Sequence, residues 1–192
     1  MDAILAAVKW GKIKNVKPCI IISNKLDADG LKIASNKYNI PTKTIMPNGL
    51  KGWDYDQKVM ATLEEHNVTP QSGLVCLAGF MRILSQQFVR RYKMRILNIH
   101  PALLPSFPGL HAQRQAIDYG VKISGCTVHF VDEGVDSGPV ILQKSVPVLD
   151  NDTEETLSLR ILEQEHQVYP EAVKLFAENR LKIEGRRVFL LR

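Results

Sequence analysis

Apolar runs and helix-spaced mixed segments alternate along this chain. Pro18-Cys19-Ile20-Ile21-Ile22-Ser23 and Gly73-Leu74-Val75-Cys76-Leu77-Ala78-Gly79 are continuous apolar runs, the pattern of strands buried on both faces of a parallel sheet. Between them Leu31 to Tyr38 and Tyr55 to Glu65 read as helices, with Thr42-Lys43-Thr44-Ile45 a short strand. Ser85 to Arg91 is helical and leads into a strand over Ile96 to His100. Ala112 to Tyr119 is a further helix, with Gly120 placed to cap its C-terminus. Lys122 to Val131 and Val140 to Val148 read as a pair of longer strands. Glu154 to Glu178 is mostly helix, interrupted or kinked at Pro170, and Asp152 or Thr153 is positioned to cap its start. The alternation implies an α/β fold, a doubly wound, mostly parallel sheet flanked by helices. Ligands of such sheets bind outside the carboxyl ends of the strands. Both Asn98 to His100 and the turn Gly79-Phe80-Met81-Arg82 fall there.

Composition narrows the class. The chain of 192 residues is read as a single domain, and 45% hydrophobic with 23% charged residues is ordinary for a globular protein. No stretch approaches the roughly 18 uninterrupted apolar residues that a membrane span requires. Met1 to Lys9 lacks the basic start and cleavage site of a signal peptide, so a cytoplasmic location is expected. Cys19, Cys76 and Cys126 form no CxxC pair, which favours reduced thiols over disulfides or a zinc site. A formal charge of +5 suits small anionic substrates, and the scattered Lys and Arg residues argue against nucleic acid.

The chemistry concentrates in Asn98-Ile99-His100-Pro101. Side chains at i and i+2 of an extended segment share a face, so Asn98 and His100 should point into one space. Downstream, the loop Val131-Asp132-Glu133-Gly134-Val135-Asp136-Ser137-Gly138-Pro139 offers three carboxylates. Asp136, between the glycines and the next strand, is the one best held. An amide donor, an imidazole and a carboxylate are the parts for acyl-type transfer. His129, inside the apolar run Thr127 to Val131, is either core or a neighbour of the site. Glu165 stands at the edge of the apolar stripe Leu157, Ile161, Val168, Ala172. There it is either paired or bound, or it reaches out to water.

Taken together, Leu77-Ala78-Gly79-Phe80-Met81-Arg82-Ile83-Leu84, Leu97-Asn98-Ile99-His100-Pro101, Pro108-Gly109-Leu110-His111, Val128-His129-Phe130-Val131, Gly138-Pro139-Val140-Ile141 and Gln164-Glu165-His166 carry a resemblance over nearly the whole chain. The chain resembles the phosphoribosylglycinamide formyltransferases, single-domain enzymes of purine synthesis that use 10-formyltetrahydrofolate. The resemblance implies that Asn98, His100 and Asp136 are the catalytic trio and that no metal takes part. It implies a folate pocket of Met81, Arg82, Ile83, Leu84, Asn98 and Asp132, with Leu77, Phe88, Val89 and Ile96 around the pterin. Glu165 would hold the ribonucleotide. The partners implied are small molecules, with no nucleic acid or membrane, for a monomer or homodimer. That family opens with a strand and a Gly-rich phosphate loop, whereas residues 1–192 begin inside the helix that should follow. The natural protein is therefore expected to begin upstream of Met1. Rival readings are a formyl-folate hydrolase, a transferase acting on methionyl-tRNA, and an inert folate- or nucleotide-binding protein.

Overall fold

The computed structural model describes residues 1–191; Arg192, the last residue of the expected domain, lies outside the described residues. The elements in chain order are α1 (Asp2–Lys9), β1 (Ile21–Ser23), α2 (Asp29–Tyr38), β2 (Thr42–Thr44), α3 (Gly52–Glu65), β3 (Val75–Leu77), α4 (Gln86–Arg91), β4 (Ile96–His100), α5 (Ala112–Tyr119), β5 (Ile123–Phe130), β6 (Val140–Pro147), α6 (Glu154–Ala177), β7 (Leu181–Glu184) and β8 (Arg187–Leu190). The expected α/β alternation is present. β1 pairs with β2 in parallel and β3 with β4 in parallel, while β5 runs antiparallel to both of its neighbours, β4 and β6, in the order β3-β4-β5-β6. The apolar runs of β1 and β3 face each other across a cavity of about 650 Å³, lined among others by Ile20, Ile22, Val75 and Leu77.

The core sits between the four-stranded sheet and α6. Leu97, Cys126, Val128 and Phe130 pack against Leu157, Ile161, Val168, Ala172 and Val173, residues that recur on one face of the helix at i+4 and i+7 spacing. The Tyr169 hydroxyl lies 2.8 Å from the Leu77 carbonyl and 2.9 Å from the Leu97 carbonyl, so one buried O–H binds the ends of β3 and β4 to the helix. Pro170 does not interrupt α6, which runs unbroken from Glu154 to Ala177; the surrounding apolar packing outweighs the lost backbone donor. The C-terminal hairpin β7–β8 lies beyond the elements that the apolar pattern predicts. Its alternating Leu181, Ile183, Val188 and Leu190 flank a two-residue turn, Gly185-Arg186, with Gly185 at φ 59°, a short-range signal that such spacing does carry.

The start of α6 is fastened by a dense local network. Thr153 caps it reciprocally with Thr156, and Asp152 receives Arg160 at 2.7 and 2.8 Å, the Leu149 amide at 2.7 Å and the Thr156 hydroxyl at 2.8 Å. The Arg160 guanidinium holds the Asp152 carboxyl well below the usual carboxylate range. A depressed folded-state value means that the stabilisation is present above the ordinary value of 3.8 and disappears as pH falls through the folded one. Asp152→Asn should therefore melt lower than the parent protein at neutral pH, with the gap closing in acid. A gap that stays constant as pH is lowered would mean that the charge is not what matters.

Candidate active site

The pairing of β4 with β5 builds the site. Asn98 lies directly opposite His129, and His100 opposite Thr127. Directly opposed residues of an antiparallel pair share a face, so these four polar side chains form one patch, while Leu97, Ile99, Val128 and Phe130 turn to the other face. His100 is 4% exposed, His129 2% and Thr127 0%. Thr127 anchors the proline-rich loop that follows His100. Its hydroxyl donates to the Ala102 carbonyl at 2.7 Å and accepts from the Leu104 amide at 3.0 Å.

Asp136 is delivered from the acidic loop. β6 carries one extra residue where the β5–β6 register shifts between Val128 and His129, a bulge of the kind that re-aims strands beside sites. Gly138 crosses so close to β5 that a Cβ there would run into the Phe130 carbonyl. Asp136 adopts φ 48° and accepts from the Gly109 amide at 2.8 Å. Its Oδ2 is 3.3 Å from His100 Nδ1 and its Oδ1 3.7 Å from His129 Nε2. The loop's other two acids do different work. Asp132 Oδ1 accepts from Ser137 Oγ at 2.6 Å and the Gly134 amide at 3.1 Å, which closes the turn. Glu133 binds Arg90 of α4 through two 2.8 Å bonds. Arg186, in the β7–β8 turn, donates to the Ser137 carbonyl at 2.8 Å and steadies the loop from the far side.

His100 has an oxygen acceptor at each end. Nε2 is 2.8 Å from the Phe107 carbonyl and Nδ1 faces Asp136. Both positions accept only, so a doubly protonated ring satisfies both. His129 contacts the Phe130 carbonyl through Nδ1 at 2.8 Å and Asn98 Nδ2 through Nε2 at 3.3 Å. Burial pushes its imidazole below the ordinary value, against the pull of the Phe130 carbonyl and Asp136. A half-buried amide donor, an imidazole and a carboxylate thus meet within one cleft, the set required to carry negative charge on an oxygen and to move a proton.

The remaining residues singled out in the sequence divide. Phe88, Val89 and Ile96 are core members of one apolar cluster, with Leu77, Leu84 and Val131 packed against it. Met81 and Ile83 project outward, 76% and 79% exposed. The Arg82 guanidinium lies 4.2 Å over the Tyr55 ring and donates to the Leu50 carbonyl, so it is held against α3. Glu165 is not brought against the trio. It sits on α6, where its charge acts on Cys126 and Tyr169 and burial lifts its own carboxyl above the usual range. His129 resolves as a neighbour of the site, and Thr127, which no motif marks, stands beside it; two polar residues at i and i+2 inside an apolar strand are their one sequence signal. Among the described residues no group of three or more His, Cys, Asp or Glu converges as a metal site. Burial drives the Cys76 and Cys126 thiols up to about 12, which makes them inert.

A family described as Formyl transferase matches residues 1–173. The phosphoribosylglycinamide formyltransferase of Escherichia coli is 41% identical over 191 residues, 99% of this chain and 87% of that protein. A trifunctional purine biosynthetic protein adenosine-3 of Drosophila pseudoobscura pseudoobscura is 48% identical over 164 residues, and this chain spans 12% of its length. Among solved structures, a glycinamide ribonucleotide transformylase 1 from Symbiobacterium toebii superposes with a TM-score of 0.93 at 47% identity, over 100% of this chain and 88% of that one.

Two measurements check this geometry. Gly138→Ala should lower stability by about 2 kcal/mol, roughly 4–8 °C in melting temperature, and move the imidazole resonances of His100 and His129. Unmoved resonances would show that the loop absorbs the methyl group without disturbing Asp136. In the native protein at pH 8, a thiol reagent should titrate at most one of the three cysteines, Cys19, and all three only after unfolding.

Proposed function

Because the chain belongs to the formyl transferase family, we infer that its site transfers a formyl group from 10-formyltetrahydrofolate to the amine of glycinamide ribonucleotide, a step of de novo purine biosynthesis. The observation that carries this reading is the convergence of Asn98, His100 and Asp136 at the ends of β4 and β5. Beside them Leu77, paired with Asn98 across β3–β4, and Leu84 are half-buried members of an apolar cluster whose core is Phe88, Val89 and Ile96, so these two would meet the flat ring of the folate, with the buried three beneath them. Met81 and Ile83, exposed just ahead of Leu84 in the chain, would cover the ring. The folate supplies the formyl carbon.

What the chain itself contributes is charge and position. Attack of an amine on a formyl carbon puts negative charge on the formyl oxygen. Collapse of that intermediate breaks the bond from the formyl carbon to the folate nitrogen, which leaves with the proton that the amine gives up. The second N–H of Asn98, the one not used by His129, is the donor for the formyl oxygen. His100 adds the positive charge of a ring protonated on both nitrogens, and it must exchange the Phe107 carbonyl for the substrate to donate from Nε2. Asp136 holds Nδ1 and balances that charge. Glu165, half-buried on α6 where desolvation disfavours its charge, would be compensated by the hydrogen bonds it accepts from the ribonucleotide. Residues 1–192 would act as one formyltransferase domain on small molecules only, without metal or nucleic acid, in the cytoplasm as a monomer or homodimer. Among the described residues no helix is long and apolar enough to cross a membrane.

The test is formyl transfer followed by folate absorbance, with and without glycinamide ribonucleotide. Release of formyl groups must depend on the amine; release into water alone would indicate a hydrolase, and folate binding without turnover an inert binder. His100→Ala should cut kcat by about 10²–10⁴-fold while folate-analogue affinity is kept, and a small effect would remove His100 from the reaction. Glu165→Gln separates binding from stability. A carboxyl raised in the folded state contributes stability below its ordinary value of 4.5 that is lost as pH rises through the folded one. The Gln variant should therefore melt higher than the parent at neutral pH, the two converging in acid, while KM for the ribonucleotide rises. An unchanged KM would take Glu165 out of the substrate site.

A further inference from the structure

His129 does not touch the space where substrates meet, yet its position decides what Asn98 can do there. The Phe130 carbonyl, 2.8 Å from Nδ1, can only accept, so the ring carries a proton on Nδ1. In a neutral imidazole Nε2 is then a bare lone pair. That lone pair meets Asn98 Nδ2 at 3.3 Å across the directly opposed pair of β4 and β5. An amide offers two N–H bonds and one oxygen, and nothing in its shape alone selects which end faces which way. The Nε2 lone pair selects: it takes one N–H and turns Oδ1 away from itself.

We propose that His129 is a positioning residue, which as the Nδ1–H tautomer fixes the Asn98 amide so that its second N–H is presented to the reacting oxygen. The inference rests on the formyl-transfer reading for its kinetics, and on the hydrogen-bond chemistry alone for its tautomer. The setting keeps the ring neutral. Burial is the largest influence and favours the uncharged form, and the charge of His100 acts the same way; Asp136 and Asp132 pull in the other direction. Were the ring to take a second proton, Nε2 would become a donor. It would then turn to Asp136 Oδ1, 3.7 Å away, or to the Asn98 oxygen, and the amide would present the wrong end. His100 and His129 flank the same carboxylate, and the backbone carbonyl each one meets sets the nitrogen it has left.

The experiment has two arms. In the first, nitrogen-15 shifts of the imidazole in the intact protein near pH 7 should show His129 protonated at Nδ1 and bare at Nε2; protonation at Nε2 overturns the proposal whatever the enzyme does. In the second, His129→Leu removes the acceptor and His129→Gln returns one in Oε1. The Leu variant should lose about 10²-fold in kcat, the scale of a misplaced group, with KM for both substrates little changed, and the Gln variant should recover much of the loss. Equal losses in the two variants, or none in the Leu variant, overturn it. If the Leu variant fails to fold, the tautomer measurement on the parent protein still decides. If the parent protein transfers no formyl group, the formyl-transfer reading fails by itself, and the nitrogen shifts with the Asn98 side-chain amide signals of the Gln variant judge the positioning claim alone.

Discussion

The antiparallel register of β4 against β5 is the constraint from which the site follows. It places Asn98 against His129 and His100 against Thr127 on one face, and Leu97, Ile99, Val128 and Phe130 on the other. Because side chains alternate along a strand, a slip of one residue would send the polar pair of the slipped strand into the core and its apolar pair into the cleft. The cost of either half of that exchange is what pins the register. The bulge at Val128/His129 and the tight crossing at Gly138 then set where the chain leaves β5 and returns as β6, and so where Asp136 arrives.

The apolar half holds the arrangement rigid. α6 lays its stripe from Leu157 to Val173 on the back of the same strands, and the Tyr169 hydroxyl secures the ends of β3 and β4. The Arg160–Asp152 pair and the Thr153 cap fix where that helix begins. On the polar face the two histidines diverge through their surroundings. His100 lies between a carbonyl and a carboxylate, which suits a charged ring, while His129 lies between a carbonyl and an amide donor, which suits a neutral one. One residue type thus stands in two settings that ask opposite things of its ring.

Much of this was readable in the residues. The strand over Ile96 to His100 and the helix Ala112 to Tyr119 fall where the apolar periodicity and Gly120 place them, and the sharing of a face by Asn98 and His100 needs nothing beyond the alternation of an extended chain. The choice among Asp132, Glu133 and Asp136 was less accessible, because all three sit in one flexible-looking loop. Contacts with Ser137, Arg90 and Gly109 separate them. Pro170 does not break the helix for a related reason: the local rule against proline in a helix is outweighed by burial of Val168, Tyr169 and Ala172 around it. The hairpin Leu181 to Leu190 carried its alternation and its Gly185 turn openly but too briefly to stand out beside a 24-residue helix.

What the sequence by itself determined is local: which segments extend or coil and which side chains share a face; through the resemblance its motifs carry, it also raised the expectation of a formyl-transfer centre on Asn98 and His100. Those follow from backbone geometry and side-chain chemistry over a few neighbouring residues. The tertiary structure alone decided who stands opposite whom: His129 facing Asn98, Asp136 reaching both imidazoles, Arg82 drawn onto Tyr55 and Glu165 set apart on α6. Cross-strand register and loop closure bring together residues some 30 positions apart, such as Asn98 and His129, and that distance in the chain is why no local pattern could announce them.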